Sequence, residues 1–216
     1  YQQKLQKLNR DEPDIFISEI LLGLHYNSVK NYDKGLQYLS AGLDKLEKSG
    51  GDYLYWHAEV NHGLAILYEN TGKATLAAKH YNISDSLYEA SYQGDFDNSR
   101  MDFSRNASLF YANNAQTSKA RIIAHKVLAY LQSVGEGNSL QAFYQLNNLA
   151  EIELVSHNFN QTINYSNRAL ALISEKIKEG RTVLDSVKME LFKPKAILFK
   201  AKASYYLKDK KDSVFL

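Results

Sequence analysis

The chain has 216 residues, 44% of them hydrophobic and 23% charged, an ordinary balance for one globular domain or a short repeat array and enough to bury a core. Lys and Arg number 26 against 24 Asp and Glu, a formal net charge of +2, so no global field argues for nucleic acid or an anionic membrane surface. Cysteine is absent, which excludes disulfide frameworks, thiolate metal sites and a cysteine nucleophile but leaves the compartment open.

Only two prolines occur, Pro13 and Pro194, with 11 glycines; so few breakers favour long helices over a sandwich or barrel. In chain order, the pattern predicts helix pairs at 14–30/33–49, 52–71/73–93, 95–114/116–134 and 138–156/159–179. A last helix follows near 186–208, and its partner starts near Lys211. Asp14, Asp52 and Asp95 are expected N-caps, while Gly50-Gly51, Gly94 and Gly135-Glu136-Gly137 mark helix ends. No apolar run approaches the ~18–20 residues of a membrane span. Tyr1 is not a start methionine, so a processed product is compatible with the sequence, although a cytoplasmic setting is the default expectation.

The pairs are copies of one unit. Leu22-Gly23, Tyr26, Tyr32, Gly35, Leu39 and Gly42 place a small residue one turn before a tyrosine, then small and large residues at helical spacing. Leu64-Ala65, Tyr68, Gly72, Ala77, Tyr81 and Ser84 repeat this, as do Ala107-Ser108, Tyr111, Ala120, Ala124 and Val127. A fourth copy reads Leu149-Ala150, Glu153, Phe159, Thr162, Ser166 and Ala169, and a fifth begins with Ala201, Tyr205 and Lys211. The tyrosine-equivalent residues Tyr26, Tyr68, Tyr111, Glu153 and Tyr205 lie 42, 43, 42 and 52 residues apart. Small residues such as Gly23, Ala65 and Ala150 let the two helices of a pair cross closely, and one pair cannot bury its apolar face alone.

This pattern resembles the tetratricopeptide repeat, whose minimal unit is ~34 residues of two antiparallel helices. The longer step is similar to the lengthened repeats of bacterial peptide-sensing regulators and polarity adaptors. Departures from the pattern are Glu153 in place of the tyrosine, Ala115 and His157 in place of the turn glycine, and no proline between repeats. The resemblance implies an all-α, right-handed solenoid of antiparallel helix pairs spanning residues 1–216 as a single array. Its repeats would be 14–50, 52–93, 95–135, 138–179 and a truncated 186–216.

Sites of chemistry are hard to find. His57 and His62 stand i,i+5 on a helix and point ~140° apart, whereas a zinc-binding helix needs i,i+4. Phosphate-cradling glycine motifs and a nucleophile elbow have no match. Glu151 and Glu153 are two apart and face different ways. The expectation is a segment without catalysis, metal or cofactor. Residues 175–216 hold eleven Lys or Arg against six acids; the lysines recur around the helix without interleaved exposed aromatics, as on a solvated face rather than a nucleic-acid surface.

The first helices of tetratricopeptide pairs line a concave face, and the resemblance carries that register to Ile20, Leu24, Asn27 and Ser28; to Glu59, His62, Ile66, Glu69 and Asn70; to Arg105, Asn106, Leu109 and Asn113; and to Tyr144, Asn147, Asn148 and Glu151. Asparagine both donates and accepts, so a ladder of Asn27, Asn70, Asn106, Asn113 and Asn147 would bracket the backbone of an extended peptide. Arg105 suits a carboxylate, with His62 and Glu69 adding selectivity. The carboxylate clamp of chaperone-binding relatives is missing, because Ile20, Leu24, Gly63 and Asp102 occupy its positions.

Two functions fit. One is a protein-interaction module that holds a peptide or partner segment in a groove, without nucleic acid and with its oligomeric state open. The other is the regulatory array of a larger bacterial protein. The stretch PKAILFKAKASYYLKDKKDSVFL is similar to terminal helices that precede CHAT-type peptidase domains, and arrays joined to a helix-turn-helix regulator fit as well. Both place the effector outside these residues.

Overall fold

A computed structural model of the chain describes residues 13–179 and 183–213, and among them all regular structure is α-helical. The helices are α1 (Pro13–Ser28), α2 (Tyr32–Lys48), α3 (Leu54–Asn70), α4 (Ala74–Tyr92), α5 (Asn98–Asn113), α6 (Thr117–Ser133), α7 (Leu140–Val155), α8 (Phe159–Glu179) and α9 (Val183–Ser213). They fall into two compact units, Tyr1–Arg100 and Met101–Leu216.

Four short turns, after α1, α3, α5 and α7, are the same object. Lys30, Gly72, Ala115 and His157 each adopt a left-handed conformation, with φ of 61°, 73°, 60° and 58°. Each N–H donates to the carbonyl three residues back, at 3.0–3.2 Å. The following N–H of Asn31, Lys73, Gln116 and Asn158 donates to Tyr26, Tyr68, Tyr111 and Glu153, each at 2.8 Å. These bonds satisfy carbonyls that a helix end leaves without partners. The left-handed residues repeat the 42, 43, 42 spacing of the sequence, so Ala115 and His157 do the work of a turn glycine at a cost of ~1–2 kcal/mol each.

In the first unit the small residues set the approach of α1 to α2. A Cβ on Gly23 would lie 2.6 Å from Leu39 Cγ and 2.8 Å from the Leu39 nitrogen, and one on Gly42 would lie 2.7 Å from Ile20 Cγ1. Gly35 faces Asn27, and Lys45 pairs with Glu19. Contacts therefore descend α1 as they climb α2, and the two helices run in opposite directions. Gly35, Leu39, Gly42 and Leu46 form the buried stripe of α2, at helical spacing. With Phe16, Ile20, Val60, Leu64 and Leu67 its leucines make one apolar cluster, rimmed by Tyr32, Tyr53, Trp56 and Tyr68. In α3 and α4, Ala58, Ala65, Ala77 and Ser84 are fully buried, and Ser84 Oγ donates to the Ala58 carbonyl at 2.9 Å.

The second unit repeats the scheme. Ala107, Ser108, Ala120, Ala124, Ala142, Ala150, Thr162, Ser166 and Ala169 are fully buried. Gln145 Nε2 donates to the Ala124 carbonyl at 2.6 Å, tying α7 to α6, and Asn148 Nδ2 to Ser108 Oγ at 3.0 Å, tying α7 to α5. The last helix, α9, packs on α8 and α7 through Met189, Ala196, Phe199 and Ala203.

Three local expectations are corrected. Asp52 does not cap α3, whose N-cap residue is Tyr53 without a side-chain bond. Asp97 rather than Asp95 caps α5, its Oδ1 accepting from the Arg100 N–H at 2.8 Å. Asp14 lies inside α1. Furthermore, α9 runs unbroken through Lys211 to Ser213. Of the expected fifth copy, Ala201 and Tyr205 are both exposed; the buried alanine is Ala203, and Tyr206, three residues after it and still 46% exposed, stacks on Phe159.

Urea melts test this frame. Ala77→Leu or Ala150→Leu is expected to overpack a crossing and cost ~1–3 kcal/mol, while Asn70→Ala and Asn113→Ala, at exposed positions, stay within ~0.5 kcal/mol of the parent. Gly72→Ala should destabilise by about 1 kcal/mol and Ala115→Gly should not, because only the former places a Cβ in a left-handed turn.

Candidate functional site

In the first unit the predicted groove residues sit on α1 and α3. Asn27 is buried, and its Nδ2 donates to the Gly63 carbonyl at 3.1 Å. Gly63 makes that approach possible, since a Cβ there would lie 2.6 Å from Leu24 Cδ2. His62 is also buried, its ring centroid 6.4 Å from that of Tyr81. Glu69 is half-buried and accepts from Tyr81 Oη at 2.8 Å; burial pushes its carboxyl above the usual range, against the lowering effect of that bond. Asn70 is exposed at the end of α3.

Beside these residues lies a network that sequence reasoning did not identify. Tyr88 Oη donates to Glu59 at 2.5 Å, Tyr55 Oη and Ser99 Oγ are 3.1 Å apart, and Tyr92 Oη donates to Asp97 at 2.5 Å. Burial, then the charge of Glu59, raises the Tyr88 phenol far above its usual value, so it acts as a permanent donor. Arg100 is buried, pairs with Glu89 and stacks over Phe96 with its guanidinium carbon 4.1 Å from the ring centroid. His80 Nδ1 lies 2.8 Å from Asn61 Oδ1, and burial, with Lys79 next to it, lowers its basicity.

In the second unit, Arg105 stands on α5 with its side chain 49% exposed, paired among the described residues with Asp102 at 3.2 Å. Asn106 is half-buried and Asn113 exposed. Asn147 on α7 is buried, its Nδ2 donating to the Phe143 carbonyl of its own helix at 3.0 Å. Asn147 and Asn148 each keep a buried Oδ1 without a hydrogen-bond partner among the described residues, as does Asn27. Glu151 pairs with Lys195 of α9 at 2.7 Å, and Tyr144 meets Phe192 edge-on at 5.1 Å. Arg121 grips the buried Glu153 through two bonds of 2.6 Å. Those bonds raise the arginine's pKa above its usual value.

The asparagine ladder is thus not a uniform open surface: Asn27, His62 and Asn147 lie inside, where adjacent helices cover them, and Asn70, Arg105 and Asn113 reach solvent. Among the described residues, no group of three or more His, Asp or Glu could hold a metal ion, and no helix is long and apolar enough to cross a membrane.

No protein-family model matches the chain, and no curated protein does. Among solved structures it is similar to the crystal structure of BtubC (BKLC) from P. vanneervenii, with a TM-score of 0.62 at 15% identity over 87% of this chain and 74% of that one. At that identity the likeness speaks for the fold alone, an all-α arrangement of helical-repeat type.

The raised Glu69 carboxyl makes a pH prediction. The folded chain holds that proton more tightly than the unfolded chain, so the stability it contributes is complete below the usual 4.5 and is lost as pH rises through the folded value. Glu69→Gln keeps an acceptor for Tyr81 and should be at least as stable as the parent at neutral pH. Its advantage should disappear in melts below about pH 4.5; the same offset at both pH values would contradict the assignment.

Proposed function

We propose that the chain is a tetratricopeptide-type interaction module with no chemistry of its own, and that the α5 face of the second unit receives the carboxylate of an extended partner segment. The repeat reading is supported by the four equivalent turns and by the small residues at the helix crossings. The observation that carries the site is a contrast at one repeat position. Ile20, His62 and Asn147 are 0%, 8% and 5% exposed, but Arg105 at the equivalent position is half exposed and, among the described residues, its ion pair is a solvent-facing i,i+3 contact with Asp102. Such a pair is worth little, so a guanidinium fork on a rigid helix is available to a carboxylate. Asn113, two turns further along α5, is exposed and would bond the partner's backbone.

Fluorescent peptide pools with free or amidated C-termini test the reading. Arg105→Ala should weaken capture of the free-carboxylate pool by about 10- to 100-fold, Asn113→Ala by a few-fold, and added salt should reduce only the arginine's share. Asn27→Ala and Asn147→Ala should lower stability rather than affinity. If amidation and Arg105→Ala both leave capture unchanged, the carboxylate site is wrong.

A further inference from the structure

The last helix is apolar on two opposite sides. One side, Met189, Ala196, Phe199 and Ala203, is buried against α8 and α7. The other carries Val187, Leu191, Pro194, Leu198, Ala201 and Tyr205, all exposed, Leu191 by 71% and Tyr205 by 67%. These six alternate at steps of four and three residues, the a and d spacing of a helix seam. A helix with apolar residues on both sides belongs between partners. Pro194 and Ala201 are the small members of the seam, and they leave hollows between Leu191, Leu198 and Tyr205 of the kind that a second helix fills.

The borders of the seam say what kind of helix fits. Lys188, Lys195 and Lys202 recur at seven-residue intervals along one edge, the e positions of the same heptads. No acidic residue interrupts that row between 188 and 202, and among the described residues only Lys195 of the three is paired, with Glu151. The other edge holds Glu190, already paired with Lys193, and the exposed Ile197. A second copy of α9 laid antiparallel and centred on Lys195 would set lysine row against lysine row, and one shifted to bring Asp209, the next residue of that edge, opposite Lys188 would still place Lys195 against Lys202; a parallel copy would offer the lysines only Glu190. A membrane surface needs a broad apolar face rather than a seam one helix wide.

We propose that α9 is a docking seam for an amphipathic helix of a partner protein whose apolar stripe is bordered by acidic residues. Leucine-type side chains of the partner enter the hollows beside Pro194 and Ala201, and its carboxylates lie along Lys188 and Lys202. The seam lies on a different helix from the proposed carboxylate site at Arg105 and stands or falls independently of it.

The test uses the intact chain and two labelled synthetic peptides, each of three heptads with leucine at a and d, one with glutamate and one with lysine at the flanking positions. In anisotropy titrations the glutamate peptide is expected to bind about tenfold tighter than its lysine twin, with the gap closing in salt. Leu198→Glu should abolish binding of both, and Lys202→Glu, at an exposed position, should erase the preference without altering the circular dichroism spectrum. Equal binding of the two peptides, or none, overturns the proposal. So does self-association of the chain in sedimentation that Leu198→Glu abolishes, which would assign the seam to a second copy. Recruitment to phosphatidylcholine–phosphatidylserine vesicles without peptide binding would assign it to lipid.

Discussion

Two helices joined by three residues can meet only where the turn allows, and in this chain turn and crossing are a single constraint. The left-handed residue fixes the exit of the first helix, two backbone bonds lock it, and the crossing then falls a fixed distance on, at Gly23 against Leu39 in the first copy. A residue inserted between them would rotate the second helix by about 100° and drive its large side chains into the gap. Because the same turn recurs after α1, α3, α5 and α7, the buried residues recur as well. Leu46, Tyr88, Leu131 and Ile173, each twenty residues past the tyrosine-equivalent position, are all buried.

That coupling explains why the helix pairs could be read from sequence while the exposure of the first-helix face could not. Small residues and their spacing report a contact within one pair. Whether Asn27 or Arg105 sees water depends on the next pair, through contacts a linear pattern does not encode. Asn27 is covered because Gly63, in the following copy, lets the chain close over it; in the sequence Gly63 looked like nothing more than a missing clamp residue. Local competition decided the caps. Asp95 and Asp97 are chemically identical candidates, and Asp97 prevails because it stands three residues before Arg100, whose guanidinium takes the Asp95 carbonyl. In α9 the lysines recur around the helix as on a solvated face, and the apolar residues that face solvent between them share no helical period with the repeat.

Glu153 shows how the array absorbs a departure from its own rule. A carboxylate in a fully covered position costs several kcal/mol unless it is paired and hydrogen-bonded. Arg121 meets that demand with two parallel bonds. The equivalent pair two copies earlier, in the first unit, is Leu36 and Tyr68, both packed on the apolar cluster. An apolar pair has thus been exchanged for an ionic one at the same two repeat positions. The signal was present in the sequence as two simultaneous anomalies, a glutamate for a tyrosine and an arginine for a leucine. Recognising them as one event requires knowing that those positions touch.

The same reasoning separates what the scaffold needs from what it is free to vary. Positions at the crossings accept only small side chains, since their neighbours include backbone atoms that cannot step aside. The position occupied by Ile20, His62, Arg105 and Asn147 accepts an aliphatic chain, an imidazole, a guanidinium and an amide without disturbing the turns that follow. Three of the four are nevertheless buried and so answer first to their neighbours: His62 to Tyr81, Asn147 to its own helix. Arg105 answers, among the described residues, to the exposed Asp102 alone. A side chain that the fold neither covers nor requires can change without the architecture changing with it, which is the freedom the proposed carboxylate site at Arg105 draws on.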